Sequence, residues 1–134
     1  MTSEPVRRVR TRRAPPRGCR SARAVAAGDR VLVGGTTAFR GPTLYGEGDP
    51  YEQAKVAFTG ALEAIAAFGL GPESVVRTRM YLSHMRDIDE VGRAHKEIFD
   101  AVRPVSTLLV VEGFVDPRIL VEVELEAYRG AVDQ

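Results

Sequence analysis

Residues 103–130 read RPVSTLLVVEGFVDPRILVEVELEAYRG, and this stretch predicts a closing pair of β-strands. Pro104 ends a preceding helix, because the residue before a proline avoids the helical region. Val105–Val111 and Ile119–Tyr128 have strand-like compositions, and glycine and an Asp-Pro pair lie in the turn between them. The last segment alternates strictly, which is typical of a strand with one buried face and one open face. Its open face carries three carboxylates, Glu122, Glu124 and Glu126.

Two amphipathic helices are predicted upstream of this pair. Asp49 is suited to cap the first helix, with Pro50 at its first position and Glu52 completing a capping box. Apolar residues then recur at helical spacing as far as Phe68. The second helix is predicted to begin at Asp87, again with a capping box to Glu90, and to continue to the residue before Pro104.

Three further strands complete the predicted domain. Ala22–Ala26 and Arg30–Val33 are joined by a Gly-Asp turn, and the glycine pair at positions 34 and 35 is expected to close the second of them. Ser74–Leu82 alternates between apolar and polar residues. The order β-β-α-β-α-β-β predicts an α/β domain with two helices on one face of a mixed sheet. The opposite face, with Arg79 and the three carboxylates, must then meet water or another subunit.

Length and composition limit the class of protein. The chain has 134 residues and is 44% hydrophobic, which suits one folded domain. It has no apolar run long enough to span a membrane, and no apolar segment of a secretory signal follows the basic N-terminus. Cys19 is the single cysteine, so an intrachain disulfide is excluded and a reducing cytoplasm is expected.

The charge is divided unevenly along the chain. Residues 1–23 hold eight arginines and one acid, which leaves 11 basic and 17 acidic residues in 24–134. We predict a flexible arm over 1–20, a domain over 21–130 and a short tail over 131–134. Such an arm could bind nucleic acid weakly or simply be solvated. No aromatic residue interleaves the arginines as a stacking surface would require, so nucleic acid is not the expected partner.

Five blocks of the sequence resemble the RidA (reactive intermediate deaminase) family in order and spacing. The resemblance covers residues 21–130, and the closing segment is its most specific part. The blocks are VLVGGTTAF, DPYEQAKVAFTGALEAIAAFGL, VVRTRMYLSHM, GRAHKEIF and RPVSTLLVVEGFVDPRILVEVELEAY.

The resemblance implies both an architecture and an activity. RidA proteins have a chorismate-mutase-like fold and form homotrimers, in which the open sheet faces make a barrel with three clefts between subunits. Active members hydrolyse reactive enamines or imines to keto compounds and ammonia, without a metal or cofactor. The implied partners are therefore two further copies of the chain and a small molecule, and no membrane.

The family's site carries over unevenly onto this sequence. Its acid corresponds to Glu124, for which pairing with an arginine across the sheet is the alternative role. Its carboxylate-binding arginine corresponds to Ser106, so the guanidinium is absent, and Thr107 also departs from the pattern. The backbone that lines the cleft corresponds to Gly34, Gly35 and Thr36, whose amides could bind a carbonyl or merely form a tight turn.

Two other arginines could take the role of the missing carboxylate-binding arginine. Arg79 is the better candidate to replace the arginine and to meet Glu124, because Arg103 is expected to point outward from a helix end. Ser21 lies near the position of an aromatic hydroxyl in many family members. His95 is expected to be a core residue, and His84 carries no motif; the two lack the spacing of a metal site.

Two functions remain open on the sequence. One is hydrolysis of enamines or imines, with Glu124 activating water. The other is a non-deaminating relative of the same fold that binds a small metabolite or serves as a tailoring protein of one pathway, an alternative motivated by the loss of the arginine.

Overall fold

A single six-stranded mixed sheet forms the centre of the protein. The computed structural model describes residues 6–10 and 21–130, and Cys19, the rest of the predicted arm and the tail at 131–134 lie outside them. The strands of this sheet are β1 (Arg7–Arg10), β2 (Ala22–Ala27), β3 (Arg30–Thr36), β6 (Val75–Leu82), β7 (Val105–Val110) and β8 (Val121–Tyr128). Their order across the sheet is β1-β2-β3-β8-β6-β7.

Two helices pack on one face of this sheet, as predicted. They are α1 (Pro50–Ala66) and α2 (Ile88–Phe99), and a small hairpin, β4 (Phe39–Arg40) with β5 (Thr43–Leu44), precedes α1. The core lies between helices and sheet and includes Phe58 and Phe99, which are at most 1% exposed. The apolar residues of β8 point into this core, so the glutamates of β8 lie on the open face.

Strand β8 lies between β3 and β6 and is antiparallel to both. Strand β6 pairs in parallel with β7, which is the last strand on that side of the sheet. The predicted order β-β-α-β-α-β-β is therefore confirmed for the elements from β2 onward, with the small hairpin added.

The start of α1 follows its sequence signal. The Asp49 side chain accepts a hydrogen bond from the backbone N–H of Glu52 at 3.1 Å, and Pro50 is the first helical residue. The backbone N–H of Asp49 donates to the carbonyl of Gly46 at 2.8 Å, so only half of the predicted capping box with Glu52 forms. A side-chain cap of this kind satisfies a backbone donor that the helix itself leaves unpaired.

Removing this cap is expected to destabilise the protein modestly. Asp49→Ala should lower the free energy of unfolding by about 1 kcal/mol, the usual cost of losing an N-cap acceptor. Urea unfolding followed by circular dichroism measures the change. Asp49→Ser, which keeps an acceptor, should recover most of the loss, and equal destabilisation by both variants would contradict the capping role.

The second helix differs from the prediction at both ends. Asp87 makes no side-chain cap hydrogen bond, because a short 3-10 turn over Met85–Asp87 leads into the helix instead. The helix ends at Phe99, and the chain turns before Pro104 with Arg103 in the left-handed region at φ 53°. The predicted capping box and the extension to residue 103 are therefore wrong.

Part of the predicted flexible arm is a strand. Arg7–Arg10 pairs antiparallel with β2, and Val9 packs against the core. The Arg7 guanidinium lies 5.2 Å from the centre of the Phe68 ring, a cation–π distance. The prediction of an arm over 1–20 is thus wrong for these four residues, because pairing with the edge of β2 gives a polar segment a partner that its own composition does not indicate.

A buried glutamine connects α1 to the start of β8. Gln53 is fully buried, and its amide nitrogen donates to the carbonyls of Gly46 and Arg118 at 3.1 and 3.0 Å. Its amide oxygen accepts from the backbone N–H of Leu120 at 2.9 Å. One side chain thereby satisfies three backbone groups of two loops and sets where β8 begins.

Candidate functional site

The open face of the sheet carries a row of carboxylates between two basic strands. Glu122, Glu124 and Glu126 alternate with buried residues of β8 and are themselves half-buried. In the register of the sheet, Arg79 lies opposite Glu124 and Tyr81 lies opposite Glu122. The predicted candidates Glu124 and Arg79 therefore share one face.

Glu124 is bound by a phenol. The Tyr81 hydroxyl reaches diagonally across the strands and donates to Glu124 Oε1 at 2.5 Å. This hydrogen bond to a carboxylate raises the pKa of Tyr81 above its ordinary value, and burial adds to the rise. Glu124 uses Oε1 in this hydrogen bond, and a carboxylate is a group that can serve as a general base.

Alkaline pH is expected to remove the stability that this hydrogen bond provides. The folded-state pKa of Tyr81 is raised from about 10, so the contribution is complete below pH 10 and is lost as pH rises through the raised pKa. Tyr81→Phe should therefore lower the free energy of unfolding by about 1 kcal/mol at pH 8 and by much less at pH 11. Denaturant unfolding of both proteins at the two pH values measures this, and an equal difference at both would contradict it.

Arg79 pairs with the neighbouring carboxylate. Its Nη1 lies 3.7 Å from Glu126 Oε1, and Arg30 Nη1 lies 3.3 Å from Glu126 Oε2. Glu126 thus forms ion pairs with both guanidinium groups, whereas the register partner of Arg79, Glu124, is bound by the phenol. The expected contact between Arg79 and Glu124 is replaced by this diagonal pairing.

A bulge brings backbone close to the first carboxylate of the row. The register of β3 against β8 shifts between Val33 and Thr36, so strand β3 continues through the glycine pair that was predicted to close it. A Cβ at Gly35 would overlap the Glu122 carboxylate, so the absence of a side chain permits this approach. Thr36, just beyond, donates its hydroxyl to the carbonyl of Gly34 at 2.9 Å.

Ser106 lies on the other face of the sheet. It pairs in register with Thr78, whose hydroxyl donates to Ser106 Oγ at 2.9 Å. Thr78 is fully buried on the helix side, and its Oγ1 lies 2.8 Å from His95 Nε2. Thr107, the next residue of β7, shares the open face with Arg79.

The predicted site residues therefore divide between two faces within one subunit. Glu124, Arg79 and Thr107 lie on the open face, whereas Ser106 lies on the helix side at the edge of the sheet. Tyr81 and Thr78 were missed as site residues. Tyr81 lies two residues after Arg79 in the alternating pattern of β6, so the sequence places both side chains on the open face. The diagonal hydrogen bond from Tyr81 to Glu124 depends on the tertiary register.

Among the described residues, no three His, Cys, Asp or Glu side chains converge as a metal-binding group. Within the same residues, no helix combines the length and the apolar character needed to cross a membrane.

Comparison with known proteins identifies the family. Residues 11–129 match the family model described as endoribonuclease L-PSP, which covers most of the chain. The chain belongs to the endoribonuclease L-PSP family. This is the YjgF/RidA family, so the resemblance inferred from the sequence is confirmed.

Members of the L-PSP family share both sequence and fold with this chain. An uncharacterized protein of Streptomyces coelicolor is 70% identical over 133 residues, 99% of each chain. Rv2704 from Mycobacterium tuberculosis, a YjgF/YER057c/UK114 family member, is 34% identical, with a TM-score of 0.73 over 81% of this chain and 86% of its own. TdcF of E. coli, solved with bound serine, has a TM-score of 0.76 at 19% identity, over 92% and 99% of the two chains, and shows the shared fold alone.

Proposed function

We propose that the protein hydrolyses reactive enamines or imines to keto compounds and ammonia, in clefts between the subunits of a cytoplasmic homotrimer. The observation that carries this proposal is the Glu124 carboxylate on the open face, which is held by the neutral Tyr81 hydroxyl. The resemblance to RidA proteins implies that Glu124 corresponds to the acid of their site. Membership of the L-PSP family supports the same activity.

The chemistry needs one group that moves protons. An enamine first becomes the imine, and water then adds to the imine carbon while Glu124 accepts a proton from that water. The protonated carboxyl gives that proton to nitrogen, which completes a carbinolamine. Glu124 then moves the hydroxyl proton to nitrogen as the carbon–nitrogen bond breaks, so that ammonia leaves and a carbonyl group remains. Water and imine are thereby converted to ketone and ammonia with no other reactant.

The division of the candidates between two faces supports a site built from two subunits. Glu124 on the open face and Ser106 on the helix side can line one cleft if they come from neighbouring copies. The β7 edge that would meet a neighbour exposes apolar side chains, with Val105 62% and Leu109 50% exposed. Exposed apolar surface of this kind at a sheet edge favours association.

The serine bound to TdcF supports a ligand of amino-acid size. A serine molecule resembles the amino acids from which dehydratases release enamines, and TdcF shares the fold of this chain. A small molecule of that size is the ligand proposed for the cleft of this protein.

Hydrolysis is tested by generating the imine in place. A dehydratase acting on threonine or serine supplies the imine, and a flavin amine oxidase acting on benzylamine supplies one without a carboxylate. We expect the protein to accelerate ammonia release over the buffer blank with at least one of them. No acceleration with either would reject the hydrolase, and a monomer in sedimentation would reject the cleft between subunits.

The absence of the arginine favours a second candidate. Ser106 cannot form the bidentate ion pair that holds a carboxylate, so the protein could bind a metabolite without deaminating it, or serve as a tailoring protein of one pathway. A metabolite panel tests this by thermal unfolding, because a ligand of the native state raises Tm. Stabilisation by a ligand in a protein that releases no ammonia would favour this candidate over the hydrolase.

A further inference from the structure

A chain of three hydrogen-bonding side chains connects the core to the edge of the sheet. His95 Nε2 lies 2.8 Å from Thr78 Oγ1, and Thr78 Oγ1 lies 2.9 Å from Ser106 Oγ. Thr78 is fully buried and His95 is half-buried, whereas Ser106 is exposed on the edge strand β7. The exposed hydroxyl is thus held from the inside by a buried one.

The hydrogen bonds in this chain run in one direction. The Thr78 hydroxyl donates to Ser106, so the Nε2–H tautomer of His95 is the one that can complete this direction by donating to the Thr78 oxygen. His95 is held by aromatic neighbours, with ring centres 5.6 Å from Phe58 and 4.8 Å from Phe99. Burial lowers the pKa of His95, which favours a neutral imidazole at neutral pH. Ser106 therefore uses its oxygen inside the chain and retains its proton for an outside acceptor.

The arginines that could replace the missing guanidinium are held elsewhere. Arg79 lies on the opposite face of the sheet beside Glu126, and Arg103 donates its Nε to the carbonyl of Asp100 at 3.2 Å. Removing a carboxylate from water costs free energy, and a single hydroxyl offsets less of that cost than a guanidinium does. The acidic excess of residues 24–134, 17 acids against 11 bases, further disfavours an anion.

The surroundings of Ser106 suit an uncharged polar group instead. Strand β7 is the last strand of the sheet, and in the described part of the chain no strand pairs with its outer edge. Backbone N–H and C=O groups on such an edge bind amides, which carry both a donor and an acceptor. An oriented hydroxyl donor beside this edge complements the oxygen of a carbonyl or carboxamide.

We infer that the Ser106 hydroxyl, oriented by Thr78 and His95, selects ligands with an uncharged carbonyl or carboxamide at the place where the family's arginine would take a carboxylate. The substrates of this site are therefore neutral imines or enamines, such as those derived from keto amides, keto esters and simple ketones. The inference rests on the proposed function for placing Ser106 in a substrate cleft, and Thr78 and His95 are positioning residues.

The test compares two ligands that differ in charge at one atom. Pyruvate and pyruvamide are keto products of the charged and the neutral class, and their affinities are measured by calorimetry and by amide chemical shifts of the full chain. We expect the protein to bind pyruvamide at least about tenfold more tightly than pyruvate. Ser106→Arg should reverse this preference, because it restores a partner for the carboxylate.

Conservative variants separate positioning from folding. Ser106→Ala should weaken pyruvamide binding about three- to tenfold and leave pyruvate binding unchanged. Thr78→Val, which keeps the volume, should do the same, and Thr78→Ser should restore the preference because it keeps the hydroxyl. Ser83→Ala is the matched control, since Ser83 Oγ also contacts a histidine, His84 Nδ1 at 2.9 Å, on the loop after β6.

The affinities for pyruvate and pyruvamide decide the inference. Tighter binding of pyruvate, equal binding of both ligands, or no binding of either overturns the inference. A Thr78→Ser variant that behaves like Thr78→Val overturns the positioning role. Binding is read without turnover, so a preference for pyruvamide in a protein that hydrolyses no imine would support the inference and reject the hydrolase.

Discussion

Replacing Glu124 by glutamine is expected to lower the rate of imine hydrolysis by about 10²- to 10⁴-fold, the usual contribution of a general acid or base. Glutamine has the shape of glutamate and its carbonyl can still accept from the Tyr81 hydroxyl, which now donates to Glu124. The fold should therefore persist while the group that accepts a proton is lost. Ammonia release from an imine generated in place measures the rate.

Glu126→Gln is the matched control for this variant. Glu126 lies on the same strand and the same face, two residues along, but it pairs with Arg30 and Arg79. We expect its rate to remain within about threefold of the unaltered protein, because exposed ion pairs contribute about 1 kcal/mol or less. Equal losses in the two variants would indicate a general effect of charge on the face and would contradict a specific role for Glu124.

Replacing Gln53 by methionine is expected to cause the largest loss of stability. Methionine fills a similar volume but leaves the N–H of Leu120 and the carbonyls of Gly46 and Arg118 without the partner they have now. Buried polar groups left unsatisfied cost about 1–3 kcal/mol each, and water can reach some of them. The free energy of unfolding should fall by about 2–5 kcal/mol in urea titrations.

The neighbouring position provides the comparison for Gln53. Glu52→Gln changes an exposed side chain one residue away in the same helical turn and should alter stability by about 0.5 kcal/mol or less. Because Gln53 sets where β8 begins, its variant should also reduce hydrolysis where the chain remains folded. A stable Gln53→Met protein would show that the loops satisfy their own backbone groups and would contradict the role assigned to Gln53.

Local signals predicted most of the architecture. Asp49 and Pro50 set the start of α1, and the alternation of β8 placed its three glutamates on the open face; both depend on neighbours close in the chain. The glycine pair predicts a strand end where the structure has a bulge at Gly35, because a shift in register is decided by the partner strand and leaves only a glycine in the sequence. The end of α2 is limited in the same way. Phe99, its last residue, is buried in the core, and that packing depends on residues far away in the sequence.

The site was less predictable than the fold for the same reason. The sequence indicated Glu124 and Arg79 on one face, but the choice of Tyr81 as the partner of Glu124 depends on how side chains lean across two strands. Ser106 lies on the helix side of the sheet because it pairs in parallel register with Thr78, and no local pattern in the sequence indicates that register. His95 was expected to be a satisfied core residue, and its contact with Thr78 makes it the inner end of a chain that reaches the surface.

Strand β1 has a consequence for how the protein avoids unwanted polymerisation. It occupies the edge of β2 with three arginines in four residues, so the two borders of the sheet differ in chemistry. A border dense in positive charge repels a second border of its own kind, which discourages edge-to-edge pairing of sheets from separate copies. In the proposed homotrimer, contact between copies would then fall to the border at β7, where Val105 and Leu109 are exposed.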